Sequence, residues 1–413
     1  MRILYFHQHF STPAGTSGTR SYEMAKHLVA KGYKVTMVYA AGDRGHAISR
    51  DTKVKGVQRG NFEGIDLIEF AIPYSNKMRF FQRALSFFRY SFKSIKLIFT
   101  EQYDLVLASS TPLTAGIPGI VMKMSGKKQP FIFEVRDLWP ELPKAMGVIT
   151  NPIVLSMLSW LEYLCYHYAD ALIALSPGIQ RGILRRLKKP KTVALIPNGC
   201  DLDFFVQGKS AKTLLPGVGK DDFVAIFTGA HGYANGLEAI LDAALYLKTT
   251  PYYHIIKLVL VGDGIKKSAL MKKAEELDLA NVVFIDPVPK NHLVKLLQAS
   301  DVGLMILANV PAFYYGTSPN KFFDYISAGI PVLNNYPGWI QELIETYDCG
   351  IAVNPNDAKA FAHALILLYQ SPEKLARKGV NARILAERLF DRKKLAIKLE
   401  ELCKKLTDDK KNL

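Results

Sequence analysis

The sequence predicts an α/β protein with two doubly wound parallel sheets. Short apolar strands alternate with helical segments twice along the chain, once on each side of a polar segment that is rich in Gly and Pro. Strands and helices in this rhythm form βαβ units, whose strands pair in parallel. A chain of 413 residues is long enough for two such domains. We therefore predict an N-terminal domain over 1–200 and a C-terminal domain over 221–390. A C-terminal helix over 391–413 is a candidate to return to the first domain.

Each predicted strand is a run of branched or aromatic apolar residues that ends in a polar or glycine-containing turn. In the first domain these runs are RILYF, KVTMVYA, IDLIEFAI, DLVLASS, FIFEVRD, ALIALS and TVALIPN, with the helix SYEMAKHLVAKG after the first. In the second domain they are FVAIFTGA, KLVLVGDG, VVFID, VGLMIL, IPVLNN and GIAV. Ligands of such sheets bind beyond the carboxyl ends of the strands, so we expect those edges to line one cleft.

The composition favours an anionic partner. The formal net charge is +16 and the pI is about 9.4, which suits nucleic acid, a lipid surface or phosphorylated ligands. No recognised nucleic-acid-binding motif appears, so we expect no nucleic acid partner. Four widely spaced cysteines favour a reducing cytoplasm over a disulfide framework. No apolar run reaches 18 residues and the N-terminus lacks the pattern of a signal peptide, so we expect neither a transmembrane helix nor a leader.

Two glycine loops, one after the first strand of each domain, are candidate anion sites. STPAGTSGTR contains Gly15 and Gly18, and FTGAHGYANG contains Gly229 and Gly232 with His231 between them. Glycines let the backbone approach a ligand, and the following helix N-terminus favours anions. The alternative is that these glycines only pack helix against strand, and that His231 is an ordinary polar residue. Neither loop has the dinucleotide-binding pattern of glycines.

Two further motifs carry acidic residues. Arg136 and Asp137 end a buried strand in FEVRDLWPE, where a carboxylate could orient or deprotonate a hydroxyl group; the alternative is an Arg–Asp surface pair. Asp201 and Asp203 form a D-L-D pair, for which turn or capping roles are favoured over metal binding because no further ligand cluster lies nearby.

The segment SPNKFFDYISAGIPV predicts a helix with an unusual start. Ser318 suits the N-cap, Pro319 the first helical position and Gly329 the position after the C-cap. Lys321 lies in the first turn, where the helix dipole disfavours a cation, and Asp324 follows on the same face. This arrangement indicates a bound anion near the helix N-terminus.

The segment 77–99 predicts an amphipathic helix with a basic face. It holds six basic residues and no acid. The helical period places five of the bases on one side and the aromatic residues opposite them. The bases on that side are Arg79, Arg83, Arg89, Lys93 and Lys96. We weigh two interpretations equally: an interface with an anionic membrane surface, and a core helix with a solvated charged face.

Together, these segments resemble the retaining glycosyltransferases of family 4, which have the two-domain GT-B fold. The resemblance covers nearly the whole chain and also rests on LVLVGDG, NVVFIDPV, ALIALSPG and VALIPNGCDLDFF. The branch it resembles most includes N-acetyl-L-fucosamine transferases, which build bacterial surface polysaccharides such as lipopolysaccharide on lipid-linked acceptors. The resemblance implies a nucleotide-sugar donor, for which the branch favours UDP as the nucleotide. It also implies a peripheral location on the inner face of the cell membrane.

The resemblance also implies roles for individual residues. Lys321 would neutralise the diphosphate and Asp324 would bind the ribose hydroxyls, with Asn320 and the two glycine loops completing the donor site. Arg20, Arg136 and Asp137 would bind the acceptor, and Asp137 and Lys321 would be catalytic. No cofactor and no metal are implied. The chain departs from the family pattern at Gly316, where a glutamate usually contacts the donor sugar, and at Ala230 and Asn235, where Arg and Lys usually bind phosphate.

Two other functions stay open on the sequence. A nucleotide-sugar epimerase of the same fold would need no acceptor site and no membrane-facing helix. A non-catalytic subunit that binds nucleotide-sugar would tolerate the altered glutamate pair. Reaction products formed from the donor alone, and from the donor with a lipid acceptor, distinguish these functions.

Overall fold

The computed structural model describes residues 1–15, 18–40, 52–54, 56–75, 78–205, 208 and 210–411. Parts of four predicted segments lie outside the described residues: Thr16 and Ser17 of the first glycine loop, Lys77 of the basic segment, Gln207 and Lys209 of the polar linker, and Asn412 and Leu413 of the C-terminal helix. The chain divides into two compact units. Unit 1 consists of Met1–Pro197, Tyr315–Ser318 and Lys393–Leu413, and unit 2 of Asn198–Tyr314 and Pro319–Arg392.

Unit 1 is built on one mixed sheet whose order within the described residues is β3-β4-β5-β2-β1-β6-β7-β8-β9. Its pairs are parallel except those that β4 makes with β3 and β5. Tyr5 lies opposite Met37 on one side and Leu107 on the other, so the chain runs outwards in both directions from the β1–β6 pair. The strands are β1 (Arg2–Phe6), β2 (Lys34–Ala40), β3 (Thr52–Val54), β4 (Val57–Phe62), β5 (Ile65–Phe70), β6 (Leu105–Ser109), β7 (Phe131–Val135), β8 (Ala171–Ala174) and β9 (Thr192–Leu195).

The helices of unit 1 connect these strands and cover the sheet. They are α1 (Arg20–Ala30), α2 (Phe80–Thr100), α3 (Ile117–Met124), α4 (Glu141–Ala145), α5 (Pro152–Tyr168) and α6 (Pro177–Arg186), with a short 3-10 helix over Leu113–Gly116. Asn151 and Ser176 accept backbone N–H groups and cap α5 and α6. The C-terminal helix α15 (Arg392–Lys411) also packs on this unit, where Glu400 lies 3.0 Å from the ring of His27.

Unit 2 contains a parallel sheet with the order β12-β11-β10-β13-β14-β15 in its described part. The strands are β10 (Phe223–Thr228), β11 (Ile256–Val261), β12 (Val282–Ile285), β13 (Val302–Met305), β14 (Val332–Asn334) and β15 (Gly350–Ala352). The helices are α7 (Glu238–Leu247), α8 (Lys267–Glu276), α9 (Lys290–Gln298), α10 (Pro311–Tyr315), α11 (Asn320–Ser327), α12 (Trp339–Thr346), α13 (Ala358–Gln370) and α14 (Pro372–Leu389).

The predicted fold class is confirmed. Both sheets are doubly wound, and every strand predicted from the sequence is present. The two antiparallel pairings of β4 were not predicted. The central strands are fully buried, because helices cover both faces of a parallel sheet and the strands therefore consist of continuous apolar runs. The order of each sheet reverses at one point, between β1 and β6 in unit 1 and between β10 and β13 in unit 2. In sheets of this kind that point is where ligands bind.

Helix α2 is oriented differently from the prediction. Its buried residues are Ser86, Tyr90, Ser91 and Ser94, followed by Leu97 and Ile98 near the C-terminal end. Ser86 donates to Pro73 O across 2.9 Å, Ser91 to Thr114 O across 2.7 Å, and Tyr90 to Val38 O across 2.8 Å. The aromatic side, which the core-helix interpretation places inside, is largely exposed. The interpretation of α2 as a core helix with only a charged face in solvent is therefore wrong.

Candidate functional site

The loop after β10 comes very close to the loop after β11 in unit 2. Gly262 has a φ of 153°, and a Cβ there would lie 1.8 Å from Gly229 O. A Cβ on Gly264 would lie 2.4 Å from His231 O. His231 N donates to Asp263 O across 2.9 Å, which ties the two loops together. The glycines of LVLVGDG thus allow the predicted donor loop to reach its position at the carboxyl edge of the sheet.

Lys321 lies at this edge, on the first turn of α11. Its Nζ donates to Asn235 Oδ1 across 2.7 Å and lies 4.0 Å from the centre of the Phe227 ring. A Cβ on Gly229 would lie 3.3 Å from Lys321 Cε, and the φ of 139° at this position also favours glycine. Burial lowers the pKa of Lys321 to about 7. Within the described residues no carboxylate pairs with this ammonium group, and it is therefore available to an anion.

Helix α11 begins one residue later than predicted, with Pro319 at the N-cap position and Asn320 as its first residue. Gly329 follows the C-cap with a φ of 68°, as its predicted position requires. Asn320 is half-buried beside Lys321. The side chain of Asn235 also donates to Ala230 O across 2.7 Å, so a single amide fixes both the loop and the lysine.

His231 does not present its ring to solvent. The ring is fully buried between Phe227 and Phe284, each with its centre 6.1 Å away. Neither ring nitrogen has a hydrogen-bond partner in the described part of the chain. Burial, together with the charge of Lys267, lowers the pKa of His231 to about 4, so the ring is neutral at physiological pH. A neutral imidazole can still donate one N–H to a ligand that reaches it. Gly232 is half-buried at the next position.

Asp324 belongs to a buried cluster of charges in unit 2. Lys290 Nζ lies 3.5 Å from Asp324 Oδ1 and also contacts Asp201, which in turn binds Arg392. Burial raises the pKa of Asp324 against the opposing charge of Lys290. Burial would also raise the pKa of Asp201, but Arg392 and Lys290 lower it to about 2. The D-L-D aspartate is therefore an ion-pair residue as well as part of the turn in which Phe204 N donates to Asp201 O.

Asp137 and Arg136 lie at the carboxyl edge of the unit 1 sheet. Thr111 donates its hydroxyl to Asp137 Oδ2 across 3.1 Å, and Arg136 Nη1 lies 3.2 Å from His7 Nε2. Burial raises the pKa of Asp137, opposed by the charge of Arg136 and by the Thr111 hydrogen bond. A carboxylate with a raised pKa is a better proton acceptor than an ordinary aspartate. Both side chains are half-buried and directly follow β7, the strand next to β6.

The expectation that Arg20 contacts the acceptor is not compatible with its environment. Its guanidinium donates to Glu134 Oε2 at 2.8 and 3.0 Å, to Ile196 O at 2.8 Å and to Pro197 O at 2.5 Å. The residue is 1% exposed. Burial pushes the pKa of Glu134 up, but Arg20 offsets this effect and holds it below its usual value. Arg20 therefore joins α1 to the ends of β7 and β9.

The first glycine loop is described only at its ends. Gly15 is buried and its N–H donates to Thr12 O across 2.9 Å, which closes a turn. Gly18 is half-buried, next to the start of α1. These contacts agree with a tight turn at the end of β1 and do not distinguish donor binding from helix packing.

The described residues contain no group of three or more His, Cys, Asp or Glu side chains that could hold a metal ion. All four cysteines are buried free thiols. None of the described helices is both long and apolar enough to cross a membrane.

Sequence reasoning missed three polar residues that the structure brings to these edges, His7, Thr111 and Lys290, and it noted Asn235 only as a departure from the family pattern, without its contact to Lys321. His7 and Thr111 directly follow the two strands at the reversal of the unit 1 sheet, which is a detectable signal once the strand order is known. Lys290 begins α9, 34 residues before Asp324 in the sequence, so its ion pair depends on the tertiary fold.

Comparison with known proteins identifies both units. Residues 17–204 match the family model described as Glycosyltransferase Family 4, and residues 216–384 match that described as Glycosyl transferases group 1. The fold is that of sucrose-phosphate synthase from Thermosynechococcus elongatus, with a TM-score of 0.77, 19% identity and 99% of each chain covered. HepE from Anabaena in complex with UDP is similar at a TM-score of 0.67 and 18% identity, over 98% of this chain and 100% of HepE.

The curated relatives share low sequence identity with this chain and match only part of it. D-rhamnosyltransferase WbpZ of Pseudomonas aeruginosa is 26% identical over 59% of this chain and 61% of its own length. O-antigen chain mannosyltransferase C of Escherichia coli is 24% identical over 54% of this chain and 57% of its own length. The chain thus matches about three fifths of the length of these relatives.

Two Rossmann-like α/β units in this order define a two-domain GT-B protein. With both glycosyltransferase family models matched in sequence order, the chain belongs to the GT-B glycosyltransferase family.

Proposed function

We propose that this protein is a retaining glycosyltransferase that moves a sugar from a nucleotide-sugar, with UDP as the nucleotide, to a lipid-linked saccharide. The product would be a bacterial surface polysaccharide such as lipopolysaccharide, made at the cytoplasmic face of the membrane by an enzyme that needs no metal ion. The observation that carries this proposal is Lys321. Its ammonium group, which pairs with no carboxylate among the described residues, lies at the start of α11, where helix N–H groups already favour anions.

The chemistry follows from the leaving group. Breaking the bond between sugar and phosphate places negative charge on the diphosphate, and a preorganised cation with aligned N–H groups stabilises that charge. Lys321 and the N-terminus of α11 supply both in unit 2. Asp324, on the same helix, would accept hydrogen bonds from the ribose hydroxyls. In unit 1, Asp137 would orient the acceptor hydroxyl, with its raised pKa suited to a shared proton.

The relatives support the substrate class. WbpZ and the O-antigen chain mannosyltransferase carry names of enzymes that transfer hexoses or deoxyhexoses, and HepE was crystallised with UDP. Gly316 replaces the glutamate that usually contacts the donor sugar, so the identity of the sugar is open. An N-acetylfucosamine donor is therefore one of several sugars to test. Arg136, half-buried beside Asp137, is the remaining candidate to bind the acceptor saccharide.

The test is a product analysis. Purified protein is incubated with a panel of UDP- and GDP-sugars, with and without a lipid-diphosphate saccharide, and both the released nucleotide and the glycolipid are measured. We expect nucleotide release that depends on the acceptor, and a product that retains the anomeric configuration. Conversion of the donor to an epimer without acceptor would support the epimerase instead. Binding of donor without turnover in every combination would support the non-catalytic subunit.

A further inference from the structure

Helix α2 exposes a continuous apolar stripe. Phe81, Leu85, Phe88, Phe92 and Phe99 recur at helical spacing, and their exposed fractions are 83, 50, 47, 71 and 55%. A soluble protein rarely leaves so many large apolar side chains of one helix uncovered, and such patches mark interaction sites. The stripe contains more phenylalanine than the buried face of the same helix, where serine predominates.

A second helix of the same layer is uncovered in the same way. On α5, Ile153, Met157 and Trp160 follow one another at i, i+4 and i+7 and are 70, 64 and 65% exposed. Helix α3 and the 3-10 helix before it touch both α2 and α5, so the three helices are neighbours on unit 1. Met124, at the end of α3 between them, is 66% exposed. We name the exposed apolar residues of α2, α3 and α5 the apolar face.

The charges beside the apolar face have one sign. Helix α2 carries Arg83, Arg89, Lys93 and Lys96 and no acidic residue. Arg89 and Lys96 are exposed along the stripe, and Arg79 is exposed at the N-cap of the helix. Lys93, which lies 5.6 Å over the Phe70 ring, and Arg83 are half-buried. On α5 the one acidic residue, Glu162, is buried and paired with Arg186 at 3.1 Å. A surface with apolar side chains and exposed bases complements an anionic lipid bilayer, whose interface offers both partners.

We propose that the apolar face inserts into the interfacial region of an anionic membrane, with α2 and α5 as two inserting helices and Arg89 and Lys96 in contact with lipid phosphates. This deepens the proposed location of the enzyme by naming the residues that enter the lipid. Of the five basic residues predicted to contact the membrane, it retains Arg89 and Lys96. Because vesicle binding is measured without donor or acceptor, its failure is separable from failure of the proposed transfer reaction.

The first arm of the test measures binding of the full chain to vesicles of phosphatidylethanolamine and phosphatidylglycerol in equal parts. We expect Phe81→Ser with Phe92→Ser, and separately Ile153→Ser with Met157→Ser, each to weaken binding at least tenfold, since each pair removes two apolar side chains that would enter the lipid. Arg89→Gln with Lys96→Gln should weaken it about fivefold for each charge and reduce its salt dependence. Val380→Ser on α14 is the control, as Val380 is 60% exposed but lies in unit 2; binding should not change.

The second arm reports insertion directly. Brominated phosphatidylglycerol should quench part of the tryptophan emission, and Trp160→Phe should remove that quenched part while binding persists. Equal binding of parent and serine variants would overturn the proposal, and so would equal binding to purely zwitterionic vesicles. Sedimentation velocity tests whether a second copy of the chain, instead of a membrane, covers the apolar face. A dimer in the parent that dissociates in the same serine variants, with no vesicle binding, would assign the apolar face to a second copy of the chain.

Discussion

The Nζ of Lys321 donates to the side-chain oxygen of Asn235 across 2.7 Å, between residues 86 positions apart in the sequence. The family resemblance places a phosphate-binding lysine at the position of Asn235. In this chain that position holds the amide that orients a lysine from α11. In the proposed donor site the cation would thus come from the helix, and Asn235 fixes its direction. Catalysis at this site should depend on Lys321 more than on any side chain of the glycine loop.

Replacing Lys321 by Ala should therefore lower the rate of transfer by about 10²–10³, the usual effect of losing one preorganised group that stabilises the transition-state charge. Nucleotide release under saturating donor is the measurement, and the melting temperature is the check on folding. Asp324→Ala should raise the dissociation constant of the nucleotide more than it lowers turnover, because a ribose contact changes little along the reaction. Turnover near the parent rate in the lysine variant would refute the assignment.

Nucleotide binding should take up a proton above pH 7. Burial holds the pKa of Lys321 at about 7 in the free protein, below its ordinary value of 10.5, so the native state has lost a proton that the unfolded chain retains. Between these pH values the stability of the free protein should rise with pH. A bound diphosphate favours the ammonium form, so at pH 8 binding should be accompanied by uptake of about 0.9 proton.

Calorimetric titration of UDP at pH 8 in buffers with different ionisation enthalpies measures this uptake. The terminal phosphate is then fully ionised, because its pKa is about 6. Lys321→Gln is the control and should abolish the uptake. His231 should not contribute, since its pKa of about 4 leaves it neutral throughout this range. Heats that are independent of the buffer in the parent protein would contradict the prediction.

Lys290 should act on the nucleotide through Asp324. Without the ammonium group, the neighbouring charge of Asp201 and burial would raise the pKa of Asp324 further, and protonated Asp324 is a weaker acceptor for ribose hydroxyls. Lys290→Gln should thus weaken UDP binding, most strongly at low pH, and Lys290→Arg should recover part of the loss. The discriminating ligand is 2′,3′-dideoxy-UDP, for which the two variants and the parent should bind alike. An equal loss for both ligands would indicate a structural role only.

Transfer activity should persist in a metal chelator. In the proposed reaction, Lys321 and helix N–H groups stabilise the leaving diphosphate. The D-L-D aspartate Asp201 is already paired with Lys290 and Arg392. Rates measured with excess EDTA and after adding back Mg²⁺ or Mn²⁺ provide the check. Loss of activity with EDTA that either ion restores would mean that a cation from solution supplies the charge instead.

The sequence predicted those features that depend on local pattern. Continuous apolar runs identified the parallel strands, which the structure contains. The anion site at the start of α11, predicted because Lys321 conflicts with the helix dipole, stays a prediction. Features that depend on distant partners were missed. Helical spacing separates the two sides of α2 but does not say which side packs, and here tertiary hydrogen bonds from Ser86, Ser91 and Tyr90 bury the polar side. The ion pair between Lys290 and Asp324 was not predicted for the same reason.

Arg20 shows how a glycine loop can make a neighbouring residue look functional. Its ion pair with Glu134 is buried, and removing one partner of such a pair leaves an uncompensated charge, which typically costs about 3–5 kcal/mol. Arg20→Met should therefore markedly lower the apparent melting temperature. Arg136→Met, at the half-buried position beside Asp137, should barely change that temperature but should raise the KM for the acceptor. Combining Arg20→Met with Glu134→Leu should restore part of the stability, because the unpaired carboxylate is removed. An Arg20→Met protein that melts like the parent but binds acceptor poorly would return Arg20 to the acceptor site.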